Sequence, residues 1–252
     1  MRVDVAFTPA GLAGAEVAGR TVFVVDVLRA STTIAVALAN GSRGIIPVSS
    51  IDEAMKLVQT LERREVLLAG ERNATRISGF DLGNSPLEMT ESTVRGKTLI
   101  MTTTNGTRAL LATTGAAAVY LAAGVNLSVA GAWAREALEQ HRDLLVICAG
   151  REGSFGLDDA YAAGRLLSLA LGGRRLRKGL NDAALVSLDL ARRYGVGWLR
   201  PLMASCAGRD LVSLGFRDDI ALAADEDSCP VLPQFADRRI TLAPVTVTAA
   251  AP

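Results

Sequence analysis

Residues 22–25, Val-Phe-Val-Val, form an uncharged run of β-branched and aromatic side chains. Such a run reads as a strand buried on both faces, as in the middle of a parallel sheet. A strand of that kind needs helices above and below it, so it commits the chain to an α/β class. The run ends at Asp26. Arg29 follows, then the hydroxyls of Ser31, Thr32 and Thr33, then an apolar helix from Ile34 to Ala39 with Asn40-Gly41 as its C-terminal stop. In open α/β sheets ligands bind where strands end and helices begin. A helix start also offers free N–H groups and partial positive charge. The turn therefore joins a metal-type carboxylate, a guanidinium and a hydroxyl-rich anion cradle, a set suited to a phosphorylated substrate with a divalent cation. A purely structural reading stands beside it: Asp26 caps the helix, Arg29 pairs with Asp26, and the threonines fill the helix start.

The same texture recurs along the chain. Arg2 to Phe7 alternates as a first strand, and Gly44 to Val48 is a short one. Ser50 and Glu53 have capping-box spacing and open a helix to about Arg63. Glu65 to Ala69 reads as a buried strand followed by a long polar loop. Ser85-Pro86-Leu87-Glu88 then reads as a capped helix start with proline at its first position. Lys97–Met101, Ala118–Ala122 and Leu144–Cys148 are further strands, each followed by a helical pattern. Four strands end in a polar turn with an arginine, at Arg29, Arg72, Arg108 and Arg151. This alternation predicts a three-layer α/β/α fold with a mainly parallel or mixed sheet. After Leu171 come a basic loop, GGRRLRKG at 172–179, and a helical C-terminal portion. Ile240 to Val247 reads as a last strand, which Pro244 would confine to a sheet edge. No linker is visible, so residues 1–247 are expected to form one domain, with 248–252 as a loose tail.

Composition removes several chemistries. The net charge is +1, so nothing argues for nucleic acid or a strongly acidic partner. Cys148, Cys206 and Cys229 are widely spaced, without CxxC or a Cys/His cluster; zinc is disfavoured, and the odd thiol count fits a reducing cytoplasm. The N-terminus has no signal-peptide pattern, and no apolar run nears the roughly 20 residues of a membrane span. The single histidine, His141, ends a surface helix far from every strand end, which disfavours a histidine relay. A cysteine-phosphatase loop would need arginine where Ser154 stands, so Cys148 reads as a packing thiol. Walker and GxGxxG motifs are absent. A haloacid-dehalogenase Asp-x-Asp is broken by Leu28, although Asp26 alone could act as a nucleophile. What remains are carboxylates at or near strand ends (Asp26, Glu71, Asp81, Asp158, Asp159), arginines and backbone donors. Magnesium prefers hard oxygen ligands, and arginine forks match tetrahedral oxyanions.

Six ordered blocks, VVDVLRASTTIAVALANG, LLAGERN, GFDLGNSPLE, TTTNGTRAL, ICAGREGSFGLDDAYAAG and LGFRDDIALAA, resemble the 2-phosphosulfolactate phosphatases from about Val22 to Ala224. The resemblance implies a distinctive α/β/α fold and magnesium-dependent hydrolysis of 2-phospho-3-sulfolactate to 3-sulfolactate and phosphate, a step of coenzyme M synthesis. It implies Asp26, Arg29, Glu71 and Asp159 as catalytic groups, with Mg²⁺ on Asp26, Glu71, Asp81 and Asp159. Substrate contacts would come from Ser31, Thr32, Arg72, Asn84, Thr104, Asn105, Arg108 and Arg151. Where family members often have Glu-Asp, this chain has Asp158-Asp159, which shifts the weight to Asp159. Two other readings stand: a phosphatase of another small phosphorylated acid, and a non-catalytic anion-binding domain. A homodimer is expected on general frequency.

Overall fold

In the computed structural model residues 1–173 and 179–244 are described. Most of the basic loop, the end of the expected last strand (245–247) and the tail at 248–252 lie outside the described residues. The chain runs β1 (Val3–Ala6), α1 (Gly14–Val17), β2 (Thr21–Val25), α2 (Ala30–Ala39), β3 (Gly44–Pro47), α3 (Ile51–Val58), β4 (Val66–Arg72) and β5 (Thr75–Arg76). It continues through α4 (Glu91–Val94), β6 (Thr98–Thr102), α5 (Gly106–Leu111), β7 (Ala118–Ala122), α6 (Leu127–Glu139), β8 (Leu144–Cys148) and α7 (Leu157–Leu171). The C-terminal part comprises α8 (Asp182–Tyr194), α9 (Leu199–Ala204), α10 (Cys206–Ser213), α11 (Arg217–Ala223), β9 (Pro233–Ala236) and β10 (Arg239–Leu242).

The described strands form one mixed sheet in the order β1-β8-β2-β7-β9-β10-β3-β6-β4-β5. One parallel half is β1-β8-β2-β7 and the other is β3-β6-β4; the antiparallel hairpin β9–β10 stitches them together. The strand period of two sorts β2 between two cores. Phe23 and Val25 pack with Leu127 and Ala134 of α6 and Leu166 of α7, whereas Val22 and Val24 pack with Ile34 and Leu38 of α2. Helices thus cover both faces, as the uninterrupted apolar strands require.

The inner face decides the shape. Val24 and Leu121 from one half-sheet share a core with Ile45, Leu99 and Met101 from the other, all around α2 and α5. The sheet therefore curls over these helices. Residues 30–38 of α2 are all buried, which explains its lack of a polar face. β2 and β4 are six strands apart in the sheet order, roughly 29 Å if the sheet were flat. Curling brings their C-terminal ends to one cleft.

Several local expectations need correction. The last strand is not at an edge: β10 lies between β9 and β3 and stops at Leu242, so Pro244 removes no ladder hydrogen bond. β4 runs on through Glu71 to Arg72 and turns back into β5 through Asn73 and Ala74, both at positive φ (53° and 61°). α3 ends at Val58 rather than near Arg63; Ser50 caps it, but Glu53 reaches Ser49 instead of closing the box. Pro86–Glu88 is only a 3₁₀ turn, and Ser85 makes no side-chain cap there. No described helix is long and apolar enough to cross a membrane.

Candidate active site

The C-terminal ends of β2, β4, β6 and β8 open into a cleft of about 570 Å³, walled on its far side by α9 and α10. Asp26, at the end of β2, projects into it. Its Oδ1 accepts the Ala30 N–H (3.1 Å), and its own N–H donates to Ser31 Oγ (3.0 Å). Asp26 Oδ2 accepts no protein hydrogen bond among the described residues. Burial, together with the negative charges of Asp158 and Glu71, raises its pKa to about 7 against the pull of the Ala30 N–H. Gly106 keeps this close approach open: a Cβ there would meet Asp26 Oδ2 at 2.8 Å and the Ala30 methyl at 2.9 Å.

Two other acids brace the turns around it. Glu71 accepts the N–H of Thr104 on Oε1 and that of Ala74 on Oε2, both at 2.8 Å, and so ties β4 and the β4–β5 turn to the end of β6. Asp159 accepts the N–H of Val27 (2.9 Å) and of Gly150 (3.0 Å), and so ties the β2–α2 turn to the end of β8. Burial and the neighbouring charges of Asp158 and Asp26 hold the Asp159 carboxyl well above its usual range. Asp158 lines the cleft beside them, pushed up to about 6 by burial despite helix-start N–H groups and Arg151.

Arg29 does not pair with Asp26. Its Nη1 donates to Asp219 Oδ2 of α11 (2.7 Å) and its Nη2 to the Ala74 carbonyl (2.8 Å); the Phe216 ring lies 4.5 Å from the guanidinium carbon. Arg151 reaches across the mouth of the cleft to Asp210 of α10. Asn84 and Thr104 line the cleft, and Asn84 Oδ1 and Thr104 Oγ1 are buried without a hydrogen-bond partner. Asn105 also lines it, with its Oδ1 taken by the Glu152 N–H (3.1 Å).

The structure therefore gathers Asp26, Arg29, Glu71, Asn84, Thr104, Asn105, Arg151 and Asp159 in one cleft. It does not bring in the others. Asp81 is held by both oxygens to Arg63 Nη2 (2.7 and 2.9 Å), and one oxygen also accepts the Leu68 N–H, all outside the cleft. Arg108 sits on the exposed side of α5, and Arg72 turns back onto its neighbour's carbonyl and Thr102. Ser31 and Thr32 spend their hydroxyls on the backbone of Asp26 and Val27. Cys148 is buried behind the cleft wall, its thiol pushed well up by burial and the nearby acids. Residue-by-residue reading passed over Asp158 in favour of its neighbour, and gave no role to Asp210 or Asp219. The last belongs to the FRDDI block, and its place beside Arg29 is a long-range fact without local signature.

The sequence model described as 2-phosphosulpholactate phosphatase matches residues 6–238. The chain belongs to the 2-phosphosulfolactate phosphatase family. Among the relatives of this family member, a probable 2-phosphosulfolactate phosphatase of Symbiobacterium thermophilum is 40% identical over 227 residues, covering 90% of this chain and 96% of its own. Proteins of the same name from Clostridium novyi (34% identical, 96% and 100% covered) and Thermotoga petrophila (39%, 92% and 94%) are similar along nearly their whole lengths. The matched region of the 2-phosphosulfolactate phosphatase family model contains every strand-end turn that lines the cleft, and α9 to α11 as well.

Among the described residues no three His, Cys, Asp or Glu side chains are disposed to hold a metal ion by themselves. Magnesium does not require that. It is bound through one or two carboxylates with water and phosphate oxygens completing the octahedron. The carboxylates Asp26, Glu71, Asp158 and Asp159 and the orphaned Asn84 Oδ1 put hard oxygen donors on the cleft. The donor set of this family member fits Mg²⁺.

Proposed function

We propose that the cleft hydrolyses the phosphate ester of 2-phospho-3-sulfolactate, releasing 3-sulfolactate and phosphate, with Mg²⁺ as cofactor. Beyond family membership, one observation carries the reading: Asp26 and Asp158 are buried, held near neutrality, and share a cleft with Arg29 and Arg151. Such pairs of perturbed carboxylates beside cations are common at catalytic sites. Asp26, Asp158 and Asn84 Oδ1 would hold the ion, which when bound neutralises phosphoryl charge. Arg29 binds the phosphoryl oxygens, since its fork matches two of them at once. Arg151 takes the sulfonate or carboxylate. The attacking water's oxygen bonds to phosphorus as the P–O ester bond breaks, Asp26 Oδ2 accepts that water's proton, and solvent supplies a proton to the departing alkoxide. Glu71 and Asp159 keep the turns in register by holding backbone N–H groups. In the same proposal the protein is cytoplasmic, works as a homodimer and serves coenzyme M synthesis.

The test is phosphate release from 2-phosphosulfolactate, with magnesium and with chelator, beside phospholactate and phosphoglycolate. Magnesium-dependent release favouring the sulfonated compound is expected. Release from only the non-sulfonated acids would keep the chemistry and discard the substrate. Binding of phosphate without turnover would leave an anion-binding domain.

A further inference from the structure

We propose that Asp219 is a positioning residue, which holds Arg29 as the preset anion clamp of the cleft. It lies 190 positions further along the chain, on a different element, and its side chain is 2% exposed. Oδ2 accepts from Arg29 Nη1 and Oδ1 accepts from Ser85 Oγ at 2.6 Å, so the carboxylate is fixed from two sides. Arg29 is held at a second point by the Ala74 carbonyl and covered on one face by Phe216. A guanidinium has five N–H donors. These contacts occupy one donor on each terminal nitrogen, leaving others uncommitted, and Arg29 lines the cleft.

Buried ion pairs of this kind are weak devices for stability, because desolvating two charges offsets much of their attraction. Their use here is to remove rotational freedom from a charge that must meet a tetrahedral anion. A free arginine would pay side-chain entropy at each binding event. Asp219 itself does not line the cleft, so it orients Arg29 from outside the space the substrate would occupy.

The inference rests on reading the cleft as a phosphatase site, and the experiment separates the two. Phosphate release is compared in the parent, Asp219→Asn, Ser85→Ala, Arg29→Ala and Arg29→Ala/Asp219→Asn, with melting curves for each. Arg29→Ala should lower kcat/KM by about 10²-fold or more. Millimolar guanidinium should restore about ten-fold of this in Arg29→Ala, because Asp219 still offers the cation a seat, and should restore nothing in the double variant. Ser85→Ala, which keeps the charge, should raise KM a few-fold with little change in melting. Equal rescue with and without Asp219, or a folded Asp219→Asn variant with parental kcat/KM, would overturn the proposal. If Asp219→Asn does not fold, unchanged kinetics in Ser85→Ala overturns it. If the parent hydrolyses none of the phosphorylated acids, the phosphatase reading falls. The same comparison is then read as the melting shift induced by orthophosphate: a guanidinium-dependent shift seen only with Asp219 supports the positioning role, and equal shifts reject it.

Discussion

At the scale of single residues, Asp26 works against the fold that holds it. Its pKa is raised to about 7 from an ordinary 3.8. A carboxyl that is harder to ionise when folded favours folding at low pH, and the advantage is lost as pH rises from the unfolded value through the folded one. Activity, which needs the carboxylate, runs the other way. The free protein should therefore melt several degrees higher near pH 5 than near pH 8, while turnover climbs with pH, its inflection drawn below 7 by a cation held on the same carboxylate. Asp26→Asn removes the charge and keeps the shape. It should lower kcat by about 10²-fold or more and raise the melting temperature at pH 8 by about 3 °C or more. Calorimetry across pH, beside phosphate release, checks both; a less stable Asn variant at pH 8 would contradict the account. Gly106 is the second sensitive position. Gly106→Ala drives a methyl onto Asp26 Oδ2 and Ala30, and should reduce kcat/KM by about ten-fold with a stability loss of about 1–3 kcal/mol.

At the scale of elements, two ion pairs tie the C-terminal helices to the sheet, and they differ in kind. Arg29–Asp219 is buried. Arg151–Asp210 is half exposed, with side chains 38% and 48% accessible, and such pairs contribute about 0–1 kcal/mol. A polyanion can displace Asp210 from Arg151 cheaply, yet it must still do so. Asp210→Ala should lower KM for the sulfonated substrate by about two- to five-fold, with the gain shrinking at high salt. An unchanged or higher KM would mean that Arg151 never leaves Asp210. This scale also marks how far the sequence could be read. Strand-then-helix alternation was plain because β2, β7 and β8 are covered on both faces and carry uninterrupted apolar runs. Asp26 and Glu71 stood out because polar turns at strand ends are local patterns. Asp81 shows the same local pattern, but Arg63 Nη2 claims both of its oxygens. No window around Phe216-Arg217-Asp218-Asp219 could tell that the final acid would meet Arg29.

At the scale of the whole molecule, the cleft depends on the curl of the sheet. Asp26 belongs to one half-sheet and Glu71 and Thr104 to the other, and the β9–β10 hairpin sets how the halves meet. Sequence periodicity predicts strands but not their order, so Pro244, which stands just beyond β10, points the last strand to an edge that it does not occupy. Gly44 of β3 lies under this seam at φ 150°, where a Cβ would meet Arg239 Nε at 2.7 Å and the Ile240 carbonyl at 2.9 Å. Gly44→Ala should part the seam, destabilise the protein by about 2 kcal/mol or more, and cut kcat/KM although no cleft residue is changed. Parental kinetics in that variant would show that the site tolerates relative movement of the two halves.

The position of the hairpin in the chain has a consequence for synthesis. Both half-sheets leave the ribosome before the strands that join them, and α11 with Asp219 also emerges late. A nascent chain can pair β2 with β7 and β3 with β6 early, but it holds an open seam of unpaired strand edges until Pro233–Ala236 and Arg239–Leu242 are made. During that interval the chain is exposed to wrong pairing with a neighbouring nascent copy. Ligand cannot rescue it then, because the cleft does not yet exist. Translation speed and chaperone supply while the hairpin is being made, rather than substrate, should govern how much active protein a cell obtains.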